Sequence, residues 1–300
     1  MINKINFNHS LIFFNLCIII SGIEYLRNKN LTLICLFLIL VIGISHGSLD
    51  NIKGKKILKY FKINSISVFY IGYIIISLAI ILFWLLFPKT LLLIFLIIAS
   101  YHFGKEDVDF MFNKKKLQNE LLYFFKGLAV VSSPLLFHKN ETAEIFQYLN
   151  FDISESILID NNFLYLLLAL SLIASFILSL NKNFEFKSLL IMDYISILII
   201  NFFLNPILAF TLYFCFLHSI RHSISLIFEL NKNINKGLVS FIKKAIPLTL
   251  LTTVAYLISL FYLNNYYELD EAVYKVIFIG LASLTFPHIL LEYLIEKNEK

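Results

Sequence analysis

Five histidines sit inside stretches that are otherwise almost pure hydrocarbon. His46 lies in Ile44-Ser45-His46-Gly47-Ser48-Leu49-Asp50 and His102 in Tyr101-His102-Phe103-Gly104-Lys105-Glu106-Asp107. His218 and His222 lie in His218-Ser219-Ile220-Arg221-His222-Ser223, and His288 in Phe286-Pro287-His288. Imidazole is a proton carrier near neutral pH and the commonest metal ligand. The i, i+4 spacing of His218 and His222 puts both rings on one helix face, a turn apart, where they can chelate one ion. His46 and His102 could close that site from two other segments. An all-nitrogen set poor in carboxylates suits iron, zinc or copper and disfavours magnesium or calcium. Acids follow most of these histidines by about a turn: Asp50 after His46, Glu106 and Asp107 after His102, Glu292 after His288. Carboxylates commonly orient metal-bound imidazoles, although acids at such places also mark a water interface. Arg221 inside an apolar run costs at least ~2.5 kcal/mol unless paired, and Asp107 and Asp50 are its expected partners. Gly47 and Gly104 allow close backbone approach, and Pro287 interrupts a helix ladder just before His288.

The elements that position these residues are set by the solvent they imply. Of 300 residues, 59% are hydrophobic and 15% charged, against about 25% charged in soluble domains. Long apolar runs recur, without the two-residue alternation of barrel strands, so the chain reads as an all-α polytopic transmembrane bundle. Ten spans are expected, at about 10–26, 31–49, 68–87, 90–104, 121–138, 163–180, 189–204, 207–230, 245–262 and 272–294. Phe87-Pro88-Lys89 and Asn205-Pro206 each close a tight hairpin. The first run, Leu11 to Ile23, lacks a signal-peptide cleavage pattern and reads as a retained helix. No polar stretch is long enough for a soluble domain, so residues 1–300 form one integral-membrane catalytic domain.

Lysines concentrate in the N-terminus, the 50–67, 105–120, 181–188 and 231–244 loops and the C-tail. The opposite loops carry few, and are acidic around Glu141 to Asp160 and Glu268 to Glu271. The positive-inside rule then places both termini in the cytoplasm, in a cell inner membrane. The lysines belong to this asymmetry rather than to a nucleic-acid-binding surface. All five histidines fall on spans two, four, eight and ten, which run in one direction. At 1.5 Å per residue they lie about 17–24 Å from the outer ends, in one slab of the cytoplasmic half. His9 and His138 sit at span ends in ordinary wet sequence, and Cys17, Cys35 and Cys215 read as small apolar packing residues.

The ordered set His46-Gly47-x-x-Asp50, His102-Phe103-Gly104-x-x-Asp107, His218-x-x-Arg221-His222 and Pro287-His288 resembles the Brp/Blh family of membrane β-carotene 15,15′-dioxygenases, over about 31 to 294. The sequence departs from the family at Ile44-Ser45, where a proline-containing approach to the histidine is expected. The resemblance implies Fe(2+) held by His46, His102, His218 and His222. It leaves His288, Asp50, Asp107 and Arg221 in supporting roles, with His288 an alternative ligand. The implied reaction is cleavage of β-carotene by O2 into two all-trans-retinal, with a microbial rhodopsin as a candidate functional partner. A bilayer-dissolved hydrocarbon fits a chain with 31 phenylalanines and 16 tyrosines. Cleavage at one fixed bond requires a tunnel stop, expected from aromatic side chains near the cytoplasmic end. A membrane di-iron desaturase would need more histidine boxes than the single pair here, and no His-Glu-x-x-His protease motif occurs. A non-enzymatic haem or metal transport protein is the alternative reading.

Overall fold

The computed structural model describes residues 2–23, 26, 31–112, 117–153, 156–180 and 182–298, with backbone alone at His46, Leu117 and Gln118. These residues are helical almost throughout, with no strand among them. The helices are α1 (Ile2–Gly22), α2 (Thr32–Leu38), α3 (Asp50–Tyr60), α4 (Ile66–Leu86), α5 (Pro88–Glu106), α6 (Leu117–Phe137) and α7 (Lys139–Tyr148). They continue with α8 (Asn161–Ser179), α9 (Phe184–Phe203), α10 (Pro206–Leu212), α11 (Ile220–Leu230), α12 (Ile234–Leu263) and α13 (Leu269–Asn298). Two π-helical segments, Ile39–Gly43 and Tyr213–Ser219, continue α2 and join α10 to α11.

Nine of these stretches among the described residues are long and apolar enough to cross a membrane, counting 32–60 and 206–230 as one stretch each. The remaining expected span is α5, whose 19 residues measure about 28 Å, close to a hydrocarbon thickness of ~30 Å. Its polar end, from Tyr101 to Glu106, lowers its hydropathy, and that end carries His102. The helix starts follow local chemistry. Pro88 and Pro206 occupy first-turn positions, where a missing N–H costs nothing. Asp160, Asn183, Asn205 and Asn233 accept backbone N–H bonds at the starts of α8, α9, α10 and α12.

Several boundaries differ from the sequence reading. The first span begins eight residues early, at Ile2, and α12 begins at Ile234, so the expected 231–244 loop shrinks to a short turn. Helix α12 keeps Lys236, Lys243 and Lys244 on exposed faces, so the chain stays helical into the polar region. The acidic loop around Glu141 to Asp160 contains a helix, α7, whose Thr142, Ile145 and Phe146 are buried against the bundle. The 105–120 loop holds a 3-10 turn at Asp109–Met111, and Lys114, Lys115 and Lys116 lie outside the described residues.

Helix α5 packs along α6, α6 along α8 and α9, and α1 along α9. On the other side, α13 carries α3 and α4, and α12 packs on α11 and α13. The closest crossing is α5 on α6. A Cβ on Gly104 would fall 1.8 Å from Tyr123 O, and one on Gly127 would fall 1.8 Å from Ser100 O. Two bare backbones therefore touch beside His102, as membrane helices do where small residues face each other. Gly47 has no such neighbour within 4 Å among the described residues and serves the bend instead, in the 3-10 turn His46–Leu49.

Candidate metal centre

Helix α5 brings His102 into the bundle, the α10–α11 segment brings His218 and His222, and α13 brings His288. All four side chains are buried. Their rings form a chain: His218 to His102 at 5.1 Å between centroids, His102 to His288 at 5.4 Å, and His288 to His222 at 5.9 Å. His46 opens the 3-10 turn His46–Leu49, and its side chain lies outside the described residues. The bend ahead of it, reached without a proline, is made by the π segment Ile39–Gly43 and the turn at Ile44 and Ser45.

The two π segments pack on each other. Gly43 backs onto the Phe214 ring, and Ser219 Oγ donates to Gly43 O at 2.9 Å. His9 bonds Phe216 O through Nε2 at 2.7 Å, so this half-buried histidine clamps the π segment rather than being the wet span-end residue expected. A π segment inserts one residue per turn and often marks a functional site. Here it rotates His218, next to the segment's last residue Ser219, relative to His222 in α11. The simple i, i+4 stacking of that pair is therefore modified. His138, by contrast, bonds Glu141 at 2.7 Å in α7, as a peripheral residue would.

Three of the four imidazoles give Nδ1 to a carboxylate. His218 Nδ1 lies 3.2 Å from Asp107 Oδ1, His222 Nδ1 lies 2.6 Å from Glu106 Oε2, and His288 Nδ1 lies 2.8 Å from Asp50 Oδ1. With the Nδ1 proton donated to the acid, the ring's lone pair sits on Nε2, which is the arrangement found for metal-binding histidines. Each acid comes from a different element than its histidine. Asp50, Glu106 and Asp107 therefore brace neighbouring helices, and Glu106 and Asp107 do not meet His102 one turn earlier in their own. The acids are themselves held. Asp107 accepts from Tyr213 O–H at 2.8 Å and lies 3.7 Å from Lys126 Nζ. Tyr73 O–H lies 3.0 Å from Asp50 Oδ2 and 3.2 Å from Leu284 O.

Glu292 completes the cluster. Its Oε1 lies 3.8 Å from His288 Nε2 and 2.5 Å from Lys53 Nζ. One donor atom each from His102, His288 and Glu292 lies within 4.8 Å of the others, and the same holds for Glu106, His222 and Glu292. His218 stands outside both triads, although its ring is the nearest to His102. The donor set fits a transition-metal ion, with imidazole nitrogens, one or two carboxylates and a braced second layer. It is richer in carboxylate than the sequence alone indicates, because Glu292 turns inward.

The expected partners of Arg221 are corrected. Its guanidinium is fully buried and binds Asp193, with Nη1 to Oδ2 at 2.5 Å and Nη2 to Oδ1 at 3.2 Å. Nη2 also donates to Ser10 Oγ at 2.6 Å, and Nη1 to the backbone O of Asp107 at 3.2 Å. Asp50 is occupied by His288 instead. Asp193 and Lys126 escaped the sequence reading, yet each is a charge inside an apolar run. That signal alone marks a buried partner.

A cavity of about 820 Å³ runs past the histidines, with His102, Phe103, Gly47, Asp50, Tyr73 and His288 on its wall. Along α4 it spans Phe69 to Leu85, about 24 Å, and along α13 it spans Lys275 to His288, about 20 Å. The histidines therefore lie near one end. Leu78 and Leu85 of α4 and Leu251 and Ile258 of α12 line the cavity, yet all are more than half exposed. The cavity thus opens sideways between α4 and α12, onto the face that lipid would cover.

A family model described as Beta-carotene 15,15′-dioxygenase matches residues 37–296. A curated relative named Beta-carotene 15,15′-dioxygenase, from an uncultured marine bacterium 66A03, is 31% identical over 263 residues. That match covers 85% of this chain and 90% of the relative. No solved structure matches the chain.

Proposed function

The chain belongs to the beta-carotene 15,15′-dioxygenase family of oxidoreductases, and from that premise we propose that it cleaves the central double bond of β-carotene with O2 at a histidine-held iron, releasing two all-trans-retinal. The observation that carries the reading is the meeting of braced histidines with a long apolar cavity. His102 and His288 are at once members of the ring cluster and part of the cavity wall.

The ion would be held by His102, His218 and His222, together with His46 as the resemblance assigns it. His46 precedes Gly47, which lines the same cavity as His102. His288 is a further candidate ligand because its ring closes the gap between His102 and His222. Iron, when bound, supplies the one-electron chemistry that O2 requires in order to react with a closed-shell polyene. The protein's own residues do the rest. Asp107, Glu106 and Asp50 fix the rings of His218, His222 and His288 in one tautomer and orientation. Lys53 holds Glu292 in place beside His288. The apolar wall of the cavity binds the hydrocarbon and excludes water from its double bonds.

β-Carotene enters sideways from the bilayer, between α4 and α12. Stretched, it is about as long as a hydrocarbon core, ~30 Å, so each half is ~15 Å. The arm from His288 to Lys275 is about 20 Å and accepts one half with the central bond at the histidines. Along α4 the cavity lining ends at Phe69, about 6 Å beyond Tyr73, a stretch shorter than a second half. The other half leaves through the lateral opening into lipid. The lysine-rich ends face the cytoplasm, with both termini there; a reporter fused after Lys300 that reads as periplasmic would refute that orientation.

The test is expression in bacteria that make β-carotene, followed by chromatography of the pigments. Retinal is expected as the only major product. Substantial longer or shorter apocarotenals would refute a fixed central register, and unchanged β-carotene would refute the activity.

A further inference from the structure

A second cavity, of about 80 Å³, lies between α5, α6, α9 and α10 and is too small for a carotenoid. Its wall includes Phe95, Ala99, Val130, Ile197, Phe210 and Phe278. Three polar side chains also reach the wall, and each already has an acceptor. Asn201 Nδ2 donates to Ile197 O at 2.8 Å, Thr142 Oγ1 to Pro134 O at 2.9 Å, and Tyr213 O–H to Asp107 at 2.8 Å. A water needs roughly 10–15 Å³ and two or more polar partners. These polar atoms are a small part of a wall that is otherwise hydrocarbon, so a water gains little there. Apolar cavities take up small apolar gases.

Its position gives it a use. Phe103 is on the wall of both cavities. Phe210 faces the small one, and Phe214, stacked on Phe210 at 5.5 Å, faces the large one. These rings form an aromatic partition. Phe103 stands 4.9 Å from the His218 ring and 6.0 Å from the His102 ring. Helix α7 lies over the small cavity with Ile145 and Phe146 on its wall.

We propose that the small cavity is a binding site for molecular oxygen, an antechamber from which O2 passes Phe103 to the histidine cluster while the polyene fills the larger cavity. The proposal rests on the reading that O2 is a co-substrate. O2 is apolar, concentrates in hydrocarbon, and fits a small, mostly apolar space that a whole carotenoid cannot enter. Two apolar substrates of very different size then approach one centre by separate routes, and bound polyene does not block the gas.

Two measurements test this on the full-length protein. Crystals pressurised with xenon should show one xenon atom bounded by Phe95, Ala99 and Val130. Ala99→Leu, which fills the cavity, should raise KM for O2 severalfold while leaving KM for β-carotene and the rate at saturating O2 near wild type. A selective rise in one KM marks lost binding of that substrate, which a general packing defect would not produce. If Ala99→Leu does not fold, Val130→Phe serves the same purpose from α6. Absence of xenon from the wild-type cavity, or an unchanged KM for O2 in a folded filled variant, would overturn the proposal. If wild-type protein consumes no O2 with β-carotene, the functional reading fails, and the xenon experiment still reports on the cavity by itself.

Discussion

The two sides of the histidine cluster are built from different materials. Behind it, toward α1, α6 and α9, buried charges do the holding: Arg221 on Asp193 and Ser10, and Lys126 beside Asp107. In front of it, α4 buries only Trp84 along its length, and α12 buries only Gly237, Phe241, Ala245 and Tyr256. Helix α4, and α12 beyond Lys244, are predominantly apolar on both the outward and the cavity-facing side. Lipid gives no hydrophobic drive for helix association, so such helices stay together by packing, small residues and polar contacts. Tyr73 is one such contact, joining α4 to Asp50 and to α13. The back wall is therefore rigid and expensive to alter, and it aims the imidazoles. The front wall is cheap to alter, and it admits the substrate.

That contrast can be broken most severely at the rings. His102→Ala, His218→Ala or His222→Ala should reduce retinal formation below detection with membrane insertion kept. A variant retaining full activity would remove that ring from the donor set. The next largest effect belongs to the back wall. Arg221→Leu leaves Asp193 as an unpaired buried anion and should cost ~3–5 kcal/mol, read as lost folded yield in detergent. The double variant Arg221→Leu with Asp193→Leu should recover much of it. If Arg221→Leu alone folds like wild type, the ion pair does not hold the back wall. Asp107→Asn and Glu106→Gln should each lower activity or metal affinity by ~10–100-fold, with folding less affected than in Arg221→Leu. In front, Leu78→Trp should raise KM for β-carotene severalfold, and Leu78→Ala should change stability by no more than about 0.5 kcal/mol. A large stability loss from Leu78→Ala would mean that the front wall is not the compliant one.

Much of this was readable from sequence. Apolar run lengths marked the helices, and the parity of the spans led to the expectation of one depth for five histidines. The rings of His102, His218, His222 and His288 do meet, while the His46 side chain lies outside the described residues. What escaped was pairing between helices. Asp50, Glu106 and Asp107 were visible as acids a turn after histidines, but which ring each would meet depends on helix rotation and neighbours, which run length does not encode. Asp193 was a single charge in an apolar run whose partner sits 28 residues away across the bundle. The π segments were hidden too, because Tyr213 to Ser219 reads as ordinary helix, and the shift shows only where His9 and Ser219 meet displaced carbonyls.

The central claim is that these imidazoles hold the iron that cleaves β-carotene, and anomalous diffraction at the iron absorption edge tests it most directly. On crystals of active, unchelated protein, the account predicts one strong peak among the rings of His102, His218, His222 and His288, absent from a His102→Ala crystal. Active protein with no peak there, or with a peak elsewhere in the chain, would contradict it.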